Sequence, residues 1–202
     1  VANLTSYVAT GTYSGYDTGL ADVPMEIFAR APNQRSIVAR GPQGLSVWTT
    51  DGVAAWKMQP STPIPVIPMT GGNLIGARVD AMMSFPGGIQ QAYTEWQVGY
   101  ADLDGREVNV AYGTKEGETP IALYFEESGL LSRLIRWNIT AVGPVPTQLD
   151  FTDYREVAGV GVQMPFGWKI TWTGGEVRIA LTDVQPNVEI DDASFARPVP
   201  VQ

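Results

Sequence analysis

QLDFTDYREVAGVGVQMPFGWKITWTGGEVRIALTDVQPNVEIDDASFARP, residues 148–198, is the stretch that decides the fold. Its first run sets Leu149, Phe151, Tyr154 and Val157 on an apolar side and leaves Asp150, Asp153, Arg155 and Glu156 to water. In its last run Val177, Ile179 and Leu181 alternate with Arg178, Ala180 and Thr182. That period of two puts one set of side chains on each face of a sheet. Gly159-Val160-Gly161 and Thr173-Gly174-Gly175 separate the runs, and glycine supplies the positive φ that tight hairpin turns need. The stretch reads as three neighbouring antiparallel strands and a terminal hook, in which Asp191 or Asp192 caps a short turn over 193–195 and Phe195 tucks under the sheet edge.

Upstream, residues 4–16, 23–31, 34–40, 45–50 and 53–58 read as five strands joined by short turns, with Asp51-Gly52 a hairpin turn. Val1 already begins in strand-like sequence. Residues 59–70, QPSTPIPVIPMT, are too rich in proline to donate a regular ladder and are expected to leave the sheet as an extended crossing. The spacing of Leu74, Ala77, Ala81 and Phe85, flanked by Ile75, Val79, Met82 and Met83, predicts a helix over 73–85, capped by Asn73 and ended by Pro86. A short helical turn is expected over 88–93. Strands resume at 95–100, 106–113, 120–125 and 130–137, and 141–146 reads as a second proline-containing connection. The expectation is a mainly β (α+β) chain of about ten to twelve antiparallel strands, with one or two helices forming a cover over about 71–92, in one domain spanning 1–202.

Composition narrows the function. A formal net charge of −8, with lysine and arginine unclustered, argues against nucleic acid, whose phosphates require a basic stripe. It also disfavours an anionic membrane surface. No run approaches the length of a transmembrane helix. The sequence has no cysteine, which removes disulfides, thiolate chemistry and covalent attachment of a c-type haem. It has no histidine, which removes the commonest general base and the usual zinc and haem ligand.

The remaining candidates for chemistry read better as turns. Asp102-x-Asp104-Gly105 opens like a calcium loop, but the later ligands and closing glutamate do not follow. Asp150 with Asp153, and Glu126 with Glu127, lack surroundings that would bury them and separate their pKa values. Gly71-Gly72 precedes a helix without the rest of a dinucleotide or P-loop fingerprint. No catalytic residue, cofactor or metal ligand is therefore assigned.

Beyond these turns, the closing meander, with its DYREVAGV strand at 153–160 and LTDVQPNVEIDDASFARP at 181–198, resembles that of bacterial envelope domains with the outer-membrane lipoprotein-sorting (LolA/LolB-like) fold. TSYVATGTYSGYDTGLADVPMEIFARAPNQRS at 5–36 and YFEESGLLSRLIRW at 124–137 look like the variant of that domain associated with c-type cytochromes of the photosynthetic reaction-centre type. The resemblance implies a strongly curved half-barrel whose helices cover the concave face, and a periplasmic location.

Two functions follow. In the first, a non-catalytic accessory subunit docks on a membrane-bound electron-transfer complex, its partners the c-type cytochrome or reaction-centre subunits. The proline-rich crossing, with Pro63, Ile64, Pro65, Ile67 and Met69, and the helix surface near Arg78 are its candidate docking residues. In the second, the alternative, the domain carries a lipid or lipoprotein acyl chain in an apolar cavity lined by Leu74, Met82, Phe85, Trp168 and Trp172. Trp168, Ile170 and Trp172 must share a face. Docking expects the concavity to be filled by side chains, and carriage expects a connected void of several hundred Å³.

Overall fold

The computed structural model describes residues 4–60 and 62–200, so the strand-like reading at Val1, and Ser61 in the crossing, lie outside the described residues. The first half of the chain supplies β1 (Ser6–Gly15), β2 (Val23–Arg30), β3 (Gln34–Gly41), β4 (Gly44–Thr50), β5 (Ala55–Met58) and β6 (Val66–Pro68). The second supplies β7 (Glu95–Leu103), β8 (Arg106–Thr114), β9 (Ile121–Phe125), β10 (Leu131–Thr140), β11 (Gly143–Val157), β12 (Val162–Trp172) and β13 (Gly175–Pro186). Between the halves lie two short helices, α1 (Gly71–Met82) and α2 (Ile89–Ala92).

The described strands form one 13-stranded sheet in the order β6-β5-β4-β3-β2-β1-β13-β12-β11-β10-β9-β8-β7, and every pairing is antiparallel. Each half is a meander, and β1 on β13 joins them. The strands β6 and β7, next to each other in sequence, are thus the two outer edges, and the helices between them must cross a face of the sheet. That face is concave. Helix α1 packs on β10 of one wing and on β3, β4 and β5 of the other. Six strand spacings separate β3 from β10, roughly 29 Å along a flat sheet, whereas a helix is about 10–12 Å across. One helix meets both wings because the sheet curls around it.

Period-two alternation fills the concavity. Tyr7, Tyr13, Met25, Ile27, Trp168, Ile179 and Leu181 form one buried cluster on the joined centre, with Phe85 packed against it. Val79 and Ile89 of the cover close a second over Ile121, Leu123, Leu134 and Leu149. Leu149, Leu134 and Leu123 stand in one row across β11, β10 and β9. Tyr154, read with Leu149 and Phe151, instead pairs with Pro165 and stands on the opposite face, where its hydroxyl donates to the Leu131 carbonyl.

Other expectations are corrected as well. The proline-rich crossing does not leave the sheet entirely, because Val66–Pro68 pairs with β5 and raises the strand count above twelve. An edge strand needs only one bonded side, so Pro68 lacks nothing the ladder requires. The connection at 141–146 is largely strand, with Pro144 and Pro146 opposite Ile139 and Trp137 of β10, while pairing with β12 starts only at Gln148. Again one side is free. Helix α1 starts at Gly71 after Thr70, so Asn73 lies in its first turn and is not its cap, and it ends at Met82, before Phe85.

At the carboxyl end Asp191 does cap a 3₁₀ turn, Asp192–Phe195, accepting from the Ala193 amide at 2.8 Å. Phe195 is fully buried, but against β3 and β4 and beneath the Arg30 guanidinium, not under an edge.

Candidate functional site

The sequence of α1, GGNLIGARVDAM, brings Gly76, Arg78 and Asp80 along one helix. A Cβ at Gly76 would stand 2.4 Å from Nη1 of Arg136, so glycine is what lets that side chain of β10 run beneath the helix. One turn on, Asp80 receives it: Nε donates to Oδ1 and Nη2 to Oδ2, both at 2.9 Å. The pair is largely buried, with side chains 11% and 18% exposed. Asn138 Oδ1 accepts from Nη1 at 3.3 Å.

Arg35 reaches the same turn from β3 on the other wing, donating through Nη1 to the Asp80 backbone carbonyl at 3.1 Å. Arg78 donates to the Val53 carbonyl between β4 and β5. Three arginines therefore hold one stretch of the cover from three directions.

Their charges do not balance. Asp80 spends both oxygens on Arg136, and among the described residues Arg35 has no carboxylate within ion-pair distance. Arg35 is 8% exposed, and its Nε and Nη2 are buried with no hydrogen-bond partner among the described residues. An uncompensated buried cation costs several kcal/mol. The Trp168 ring, 4.9 Å from Arg35 Cζ, offsets about 2 kcal/mol of that as a desolvated cation–π contact.

Two hydroxyls nearby are in the same condition. Tyr7 is fully buried with its hydroxyl unpartnered, and so is the Ser84 hydroxyl. Burial pushes the Tyr7 pKa up, while the Arg35 charge and the neighbouring Ser84 hydroxyl pull it back, so the three groups feel one another without completing a hydrogen bond. The register explains their nearness: Tyr7 pairs with Ala29 and Ala29 with Arg35, so only a small, buried alanine lies between them.

Beside this group opens a cleft of about 560 Å³, bounded by Ala31, Pro32 and Asn33 from the β2–β3 turn and by Met82, Phe85, Gly87, Gly88 and Gln91 from the cover. Phe85 is a shared wall, since its ring also lies 5.8 Å from that of Tyr7. A second cleft of about 330 Å³, near the β7 edge, is lined by Val98, Tyr100, Asn109, Ala111 and Phe125 among others.

Of the sequence-derived cavity residues, Met82 and Phe85 line the larger cleft. Trp168 lies in the core, its indole N–H donating to the Pro165 carbonyl at 3.0 Å. Leu74 is half-buried on α1 and borders neither cleft. Trp172 shares the concave face with Trp168 and Ile170 but lies against its own turn at Gly174-Gly175, 37% exposed. Among the docking candidates, Pro63, Ile64 and Ile67 are exposed, while Pro65 and Met69 are half-buried. Arg78 is turned to Val53 and fastens the cover.

The acidic turns are engaged elsewhere. Asp102 accepts from the Gly105 amide in the β7–β8 hairpin, Asp150 pairs with Arg133, Asp153 with Arg155, and Glu126 with Arg106. The groups that sequence reasoning passed over are Tyr7, Arg35, Asp80, Ser84 and Arg136. Their signal was parity: Arg35 falls in the inward register with Ile37 and Ala39, and Arg136 in that of Leu134.

No family profile matches the chain, and no curated protein matches it in sequence. Solved structures match it in fold. A DUF1329 family protein from Desulfovibrio piger aligns with a TM-score of 0.66 at 12% identity, over 96% of this chain and 90% of that one. A domain from Vibrio parahaemolyticus assigned to outer membrane lipoprotein sorting gives 0.57 at 10% identity, over 95% and 89%. A LolA superfamily protein from Nitrosomonas europaea gives 0.55 at 13% identity, over 96% and 89%. The antiparallel 13-stranded sheet with two short helices is thus a LolA-like fold. The cytochrome-associated variant has no counterpart among these three.

Proposed function

We propose that this chain is a non-catalytic periplasmic carrier that holds an acyl chain, of a lipid or of a lipoprotein, in the cleft between the end of α1 and the β2–β3 turn. The observation that carries this reading is the cleft itself, about 560 Å³ with Met82 and Phe85 in its wall, at the margin of a helical cover. Its volume falls within the range of small-molecule sites. Burying ten methylenes there would contribute about 8 kcal/mol before the costs of ordering the chain, a gross term equivalent to about 1 μM that those costs weaken. The envelope location is supported by the fold shared with a lipoprotein-sorting domain and a LolA superfamily protein. Among the described residues no helix is long and apolar enough to cross a membrane.

One observation favours a second reading, docking on a membrane-bound electron-transfer complex such as a reaction centre with its c-type cytochrome. Ile64 and Ile67 are 65% and 51% exposed at the β6 edge, beside Pro63, Pro65 and Met69, on a chain whose net charge of −8 would complement a basic partner. Native mass spectrometry of protein isolated from its own membranes separates the two. The expected result is the lone chain with a stoichiometric lipid-sized adduct. A bare chain in stoichiometric assembly with cytochrome or reaction-centre subunits would replace carriage with docking.

A further inference from the structure

The geometry points to an anion-reading subsite behind the cleft: Arg35, with the Tyr7 and Ser84 hydroxyls beside it, takes the carboxylate of a free long-chain carboxylic acid whose hydrocarbon lies against Phe85 and Met82. This deepens the carrier reading and rests on it.

The template is inside the same molecule. Arg136 grips Asp80 through Nε and Nη2, the edge of the guanidinium that presents two parallel N–H donors to two carboxylate oxygens. Arg35 commits only Nη1, to a backbone carbonyl, and leaves that same Nε and Nη2 edge without a partner at 8% exposure. The two arginines and Asp80 leave one positive charge beneath the cover, which one carboxylate neutralises and an uncharged ester does not. The unpartnered hydroxyls of Tyr7 and Ser84 are further donors for the carboxylate oxygens. Phe85, which touches the cleft on one side and Tyr7 on the other, joins the head-group position to the hydrocarbon position. A single bidentate edge suits a monoanion, and a chain of net charge −8 disfavours a polyanionic head group.

The test is isothermal titration calorimetry with dodecanoic acid and methyl dodecanoate, each below its aggregation threshold, on the natural chain, Arg35→Met and Tyr7→Phe. The natural chain is expected to bind the acid about 10- to 100-fold more tightly than the ester, the range for hydrogen bonds to a charged group. Arg35→Met is expected to abolish that preference while retaining the ester's affinity, and to leave the unliganded protein as stable or more so, because it removes an unpaired buried charge. Tyr7→Phe is expected to weaken acid binding several-fold with ester binding unchanged. If Arg35→Met does not fold, the acid-to-ester ratio of the natural chain and Tyr7→Phe decide. Equal affinities for acid and ester overturn the carboxylate subsite and leave the carrier reading standing. Binding of neither overturns both.

Discussion

Replacing Gly76 by alanine sets two well-characterised effects against each other. In a helix interior, Gly→Ala ordinarily gains about 1 kcal/mol through propensity. Here the new Cβ would lie 2.4 Å from Arg136 Nη1 and 2.7 Å from its Cζ. An arginine tip can usually swing aside, but this one is held by both Asp80 oxygens and by Asn138. Moving it breaks a buried pair, a loss of about 3–5 kcal/mol. Gly76→Ala should therefore destabilise by about 2–4 kcal/mol, which for a chain of this size lowers Tm by roughly 4–16 °C. Urea denaturation followed by circular dichroism measures the sign directly. In an Arg136→Ala background the same substitution should gain about 1 kcal/mol, because the obstacle is gone. A higher urea midpoint for Gly76→Ala in the natural chain, or an equal loss in both backgrounds, would refute the idea that Arg136 occupies the space a side chain would need.

Alkaline pH provides a second prediction. Burial pushes Tyr93 and Tyr154 up to about 12, and raises Tyr7 and Tyr13 as well, the last with help from its hydrogen bond to Asp17. The folded chain keeps these protons after the unfolded chain, titrating near 10, has released them. The stability they contribute is complete below about pH 10 and is lost as pH rises through the folded values. A urea midpoint that stays flat from about pH 9 to 12 would contradict this. At the joined centre, a Cβ on Gly11 would stand 2.1 Å from the Ala180 carbonyl oxygen, where the β1–β13 register shifts. Gly11→Ala should cost about 3 kcal/mol or more, while Gly99→Ala, with no atom within 4 Å of its new Cβ, should stay within about 0.5 kcal/mol. Similar urea midpoints for the two variants would sink the clash argument.

The sheet was legible because its inward residues repeat without interruption: Val177, Ile179 and Leu181 can satisfy only one strand register, and the turns between runs carry glycine at the required places. What the sequence hid were features with no local mark. Pro68, Pro144 and Pro146 look like strand breakers until it is known that each has an unbonded side, and edge position is a property of the whole sheet. Pairing of β1 with β13 joins the two ends of the described chain, which no window of sequence contains. The site suffered most. Arg35 and Arg136, more than a hundred positions apart, become neighbours of one helical turn only when the sheet curls. Each alone reads as an ordinary surface arginine. The apolar spacing that marks Met82 and Phe85 is local to one helical stretch, and both border the larger cleft, whereas Trp168 belongs to the floor beneath them.

On the carrier reading, the placement of the fastenings argues for where a ligand would enter. The cover is tied covalently to both sheet edges, since it begins just after β6 and leads into β7. Its middle is held by Arg136 and Arg35 at Asp80 and by Arg78 at Val53. Among the described residues no comparable clamp acts on 82–88, where α1 gives way to Pro86-Gly87-Gly88 and where the larger cleft lies. The floor under the helix is already filled by Tyr7, Met25, Ile27 and Trp168, so a ligand cannot thread through the concavity. On the carrier reading proposed above it would lie along the margin, with its head turned inward past Phe85. Docking expects a filled concavity and carriage an empty one. In this chain it is filled at the centre and has a cleft at one end of the cover, which on the carrier reading suits one narrow hydrocarbon chain better than the bundle of chains on a multiply acylated lipid.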